Sequence, residues 1–161
     1  MKPKVDVRSL LAAATPGPEI VVHGGIKWPL YEPSPGRCLE VIRDFPRSAE
    51  ALAAMAMSAT MEPGLDQDEA EKRAKEIYVQ AVAVEGPAVT GAYMNMVLGG
   101  ERDPEVERGL TRLPDPILIP LFADMLRRCP KEYRGFFGGM AMAAAIPTPV
   151  EEDQAEAPAE S

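Results

Sequence analysis

The chain has 161 residues, enough for one ordinary domain, and 46% hydrophobic beside 26% charged residues excludes a membrane-embedded or a wholly disordered chain. A net charge of −8 matches a nucleic-acid backbone poorly, so nucleic acid is not expected as a partner. Two Cys and one His are too few for a closed zinc site built from Cys and His or for a disulfide scaffold, and 6% aromatics beside nine Met point to helices packed through small, flexible side chains.

Residues 1–18 read as an N-terminal arm or an edge strand, with Lys4 to Arg8 (KVDVR) a candidate third strand beside a hairpin. The apolar run Leu10 to Ala14 is too short for a signal-peptide core. Over residues 19–31, EIVVHGGIKWPLY places two short strands around Gly24-Gly25, a pair able to take the positive φ angles of a two-residue turn. That turn sets His23 opposite Ile26, Val22 opposite Lys27 and Val21 opposite Trp28. Val21, His23, Ile26, Trp28 and Leu30 then share one face, which is expected to be buried.

From Pro35 onward the hydrophobic period becomes helical and does not revert. A short helix carrying Cys38, Leu39 and Ile42 ends near Phe45-Pro46. Ala49 to Met61 follows with Ser48 as N-cap and a stripe of Leu52, Met55, Ala56 and Ala59. A helix spans Gln67 to Val84, opened by a capping box of Asp66 and Glu69. Gly86-Pro87 interrupts it, and Pro87 starts another helix that ends at Gly99-Gly100. Asp103-Pro104-Glu105 opens a short polar helix. Leu118, Leu121, Phe122, Met125, Leu126 and Cys129 form the next stripe. After Pro130, Tyr133, Phe136, Phe137, Met140 and Ala144 form the last.

The expected fold class is therefore α+β and mainly helical. A hairpin over 19–31 packs on five to seven short helices over 35–145, within one globular domain spanning 19–146. Residues 147–161 hold five acidic residues, three Pro and no basic residue, and read as a disordered acidic tail. The longest charge-free stretch with strong apolar character, Phe136 to Pro147, is well short of the roughly 20 residues of a membrane span, so a cytoplasmic location is expected.

Chemistry finds little support. His23, the one histidine, lies in a predicted strand beside two glycines, and an enzyme centred on it is the least favoured reading. Cys38 and Cys129 fall on apolar stripes, where cysteine behaves as a small hydrophobe. No GxxxxGK[ST], GxGxxG or HExxH occurs, and the carboxylates from Asp66 to Glu71 lack the alternating ligands and central glycine of a calcium loop. Neither cofactor nor metal is expected.

Two Met- and Ala-rich segments stand out, Ala51 to Met61 and Gly135 to Pro147. Such side chains repack around different partners, so Met55, Met57, Phe136, Phe137, Met140 and Met142 are the candidate partner-binding residues, and a homo-oligomer that hides them is expected. Gly135, Gly138 and Gly139 suggest close helix packing. The hairpin EIVVHGGIKWPLYEPSPG, the following LEVIRDFP and the helical body resemble the tail assembly chaperones of tailed phages. That resemblance implies a protein that holds the long, aggregation-prone tape measure protein while the tail tube forms. A structural virion subunit, such as a tail connector or completion protein, is the alternative.

Overall fold

The turn between the strands shows how directly local chemistry acts here: Gly24 and Gly25 take φ of 62° and 73°, both positive as a two-residue hairpin turn requires. Strand β1 (Glu19–His23) and strand β2 (Ile26–Leu30) pair antiparallel around that turn, with Val21 opposite Trp28 and His23 opposite Ile26 as the spacing predicts. The computed structural model describes residues 6–145. Around this hairpin stand helices α1 (Val7–Ala14), α2 (Pro35–Arg43), α3 (Pro46–Thr60), α4 (Leu65–Val97), α5 (Pro104–Leu110), α6 (Asp115–Arg128) and α7 (Lys131–Ala145). The architecture is mainly helical, with the two-stranded sheet packed on the helices.

The inward hairpin face is buried unevenly. Leu30 is wholly buried and Val21, His23 and Trp28 are half-buried, whereas Ile26, next to the tip, stays exposed. The difference follows from how the hairpin is held. Its base is anchored by Tyr31, whose N–H donates to the Val97 carbonyl at 2.8 Å, while near its tip the side chain of Ile117 lies beside Gly24 and His23 meets Asp124 of α6, and neither contact covers Ile26. The third strand does not form among the described residues, because Val7 and Arg8 open α1 instead. The Asp6 carboxylate caps that helix by accepting from Arg8 N at 3.1 Å and Ser9 Oγ at 2.6 Å. Residues 4–5 and the acidic tail of 147–161 lie outside the described residues.

Helix α4 is the axis of the molecule, packing against α2, α3, α5, α6 and α7. It runs through Gly86-Pro87 without a break, against the sequence expectation of two helices. Tertiary packing supplies the reason. Pro87 and Ala83 are both exposed, so the carbonyl that Pro87 leaves without an N–H partner belongs to a residue that water can reach. On the other side, Gly86 lets α7 approach until a Cβ there would sit 3.0 Å from the Met140 carbonyl oxygen, and Thr90 Oγ1 donates to the Gly86 carbonyl at 2.7 Å.

The core gathers around the C-terminal half of α4. Tyr93 stacks on Phe137 with ring centroids 4.3 Å apart and donates its hydroxyl to the Met125 carbonyl at 2.8 Å. Phe136, Phe137 and Met140 of α7 close this core together with Leu121 and Met125 of α6, Val89 and Val97 of α4, and Cys38 and Ile42 of α2.

Candidate protein-binding surface

From Ala51 to Thr60, helix α3 carries no charged side chain, yet it packs along essentially one side only, against α4. The buried positions of that contact are small: Ala51 and Ser58 on α3, Ala74 and Ala81 on α4. Small side chains let the two helix axes come close, which turns the longer ones away. Met55, Met57, Ala53, Ala56 and Ala59 are consequently exposed, so of the stripe Leu52, Met55, Ala56 and Ala59 only Leu52 packs toward the core.

Beyond the core the two helices continue as an arm. Ala74 is the one buried residue of α4 before Ala81, and the connection at the arm's end exposes Met61 and Leu65. The base of the arm is held by Glu85 of α4. Its carboxylate accepts from the N–H groups of Arg47 (3.1 Å) and Ser48 (2.7 Å) and from Ser48 Oγ (2.7 Å). This long-range carboxylate caps α3, whose own N-cap position, Phe45, has no side-chain acceptor, and it takes the predicted capping residue Ser48 as a ligand instead.

The six candidate residues divide evenly. Met57 and Met142 are 70% and 69% exposed and Met55 is 41% exposed, whereas Phe136 is 4% exposed and Phe137 and Met140 are fully buried. The last three are corrected to core: they repeat with Tyr133 at helical spacing, and that stripe is the face with which α7 packs on α4 and α6. Met142 lies just past the contact between α7 and α4, where a Cβ at Gly139 would meet the Tyr78 hydroxyl at 1.9 Å. Gly139 is thus the close contact that the glycine-rich segment suggested; Gly135 has open space around it. Met61 and Leu65 join the exposed set without having been singled out, since a loop-proximal Met and a helix-starting Leu carry no periodic signal.

The other chemical groups are engaged structurally. His23 Nε2 lies 2.6 Å from Asp124 Oδ2, a pair that ties the hairpin to α6, and Arg127 also meets Asp124. Trp28 Nε1 donates to the His23 carbonyl at 3.3 Å. Arg102 bridges Asp44 and Glu107, its Nε donating to Glu107 Oε1 at 2.6 Å, and it lies over the Phe45 ring; the Glu107 partnership holds its proton more tightly than usual. Two open surface cavities of about 330 and 380 Å³ share this arginine as a wall. Among the described residues no group of three or more His, Cys, Asp or Glu side chains is placed to hold a metal ion, and no helix is long and apolar enough to cross a membrane. Comparison with known protein families, with characterised proteins and with solved structures finds no match.

Proposed function

We propose that this chain is a non-catalytic binding protein that holds an apolar helical client, as a phage tail assembly chaperone holds the tape measure protein. The observation that carries the reading is the exposed, charge-free outer face of α3 from Ala51 to Thr60, continued by Met61 and Leu65 at the end of the arm. Surface helices ordinarily show water a polar face; here it is Ala and Met, which offer contact area without demanding one partner shape. Exposed apolar surface of this kind marks a docking site, and self-association of the same face is the way such a protein hides it between clients. A helix fits the arm because an amphipathic helix can lie along α3 over several turns, burying one apolar stripe on another.

Coexpression with a long helical protein encoded by an adjacent gene tests the proposal. The native chain is expected to keep that client soluble as an isolable complex and to be absent from finished particles. Met57→Asp should release the client while the circular dichroism spectrum is unchanged. A folded Met57→Asp variant that still holds the client would reject the α3 face, and stoichiometric presence in mature particles would favour a structural subunit.

A further inference from the structure

Helix α1 carries an apolar stripe that its own chain does not bury. Val7, Leu10, Leu11 and Ala14 recur at the i, i+3, i+4, i+7 spacing of one face, yet none of the helix's residues is buried, and Val7, Leu10 and Leu11 are each more than half exposed. Its ends are finished locally: Asp6 caps the first turn, and the Thr15 N–H and hydroxyl donate to the Leu11 carbonyl at 2.9 and 2.7 Å. A helix this short is marginal alone in water, so a capped, amphipathic and unburied one needs a surface to lie on. The outer face of α3 matches it in length. Ala53, Met57 and Met61 follow one another there at four-residue steps over about 12 Å, and Val7 to Ala14 spans about 10 Å. The charges match in sign. The end of the α3 arm carries Glu62, Asp66, Asp68, Glu69 and Glu71, all exposed and with no basic residue among them, whereas α1 begins with Arg8 and the sequence ahead of it adds Lys2 and Lys4 against Asp6 alone.

We propose that α1 of a second copy docks on the outer face of α3, so that two chains exchange their N-terminal helices across a twofold axis. With the basic end of α1 toward the acidic end of the arm, the helix lies antiparallel to α3, Val7 on Met61, Leu10 and Leu11 astride Met57, and Ala14 on Ala53. The same chain cannot supply this helix. Through the connection Thr15–Pro18, Val7 stays within about 29 Å of Glu19 even at full extension. Glu19 pairs with Leu30 at the base of the hairpin, next to the Tyr31 link to Val97, and the end of the arm at Leu65 lies about 48 Å along α4 from Val97. The proposal rests on the reading of the α3 face as a docking surface and names what fills it between clients. Few side chains join the contact, so the exchange is reversible and yields to a longer client helix.

Sedimentation velocity of the full chain at rising concentration tests it. The native chain should pass from monomer to dimer. Leu11→Asp and Met57→Asp, both at exposed positions and both expected to leave the circular dichroism spectrum unchanged, should each raise the dimer dissociation constant more than about tenfold, the loss of one buried apolar side chain. A chain carrying Leu11→Cys mixed with one carrying Met57→Cys should cross-link to it under mild oxidation faster than either cross-links to itself. Client capture separates this proposal from the reading beneath it, since Leu11→Asp should leave capture intact or strengthen it. A chain that stays monomeric, a dimer that survives Leu11→Asp, or one that survives Met57→Asp would each overturn the helix exchange. If Met57→Asp splits the dimer and still holds the client, the exchange stands and the client lies elsewhere.

Discussion

Replacing Phe137 by Ala separates core from client surface most sharply. Phe137 is fully buried, stacks on Tyr93 at 4.3 Å and meets Phe136 edge-on at 5.7 Å, so truncation removes its transfer free energy and two aromatic contacts and leaves a cavity. Buried Phe→Ala changes cost about 3 to 5 kcal/mol, and the aromatic pairs place this site near the middle of that range or above, at about 4 kcal/mol. For a domain of this size each kcal/mol moves the thermal midpoint by about 2 to 4 °C, giving a fall of about 12 °C. Thermal and urea melts followed by far-ultraviolet circular dichroism measure it, with Met57→Ala beside it as the exposed control, expected to change stability by less than about 0.5 kcal/mol. Well below its midpoint the Phe137→Ala variant should still hold the client. A midpoint shift of a degree or two, or lost client capture without lost stability, would refute the assignment of α7's aromatic stripe to the core.

Glu85→Ala should cost about 1.5 kcal/mol, seen as a lower urea midpoint, because the first N–H groups of α3 lose their shared acceptor; an unchanged midpoint would mean that solvent caps α3 equally well. The same glycine-to-alanine change should have opposite signs at two positions. At Gly91 the new Cβ would sit 2.4 Å from the Glu107 carbonyl oxygen and force α4 from α5, costing about 2 kcal/mol, whereas at Gly135, with open space around it, the change should gain about 0.5 to 1 kcal/mol in a thermal melt. Asp124→Ala removes the partner of His23 and should loosen the hairpin, costing about 1 to 2 kcal/mol and shifting Trp28 emission to the red; unmoved fluorescence would show that the core contacts of Trp28 hold the hairpin unaided.

Elements governed by local chemistry were legible in the chain itself. Two glycines able to take positive φ set the hairpin and hence its register, and Asp103 followed by Pro104 starts α5, with Asp103 Oδ1 accepting from Glu105 N at 3.0 Å as such a cap should. The stripe Leu121, Met125 and Cys129 likewise points inward because no other face of α6 is as apolar. What depends on a distant neighbour was not legible. Proline's effect on a helix depends on where its orphaned carbonyl points, and only the packing of α7 on Gly86 shows that Pro87 lies on the wet side of a continuous α4. Met and Ala are equally at home in a core and on a docking face, so their spacing could not divide Phe137 and Met140 from Met57 and Met142. The tertiary structure divides them, by bringing α7's aromatic stripe onto α4 while pairing α3 with α4 through Ala51, Ser58, Ala74 and Ala81. Side chains that small draw the helices together and leave the methionines outside.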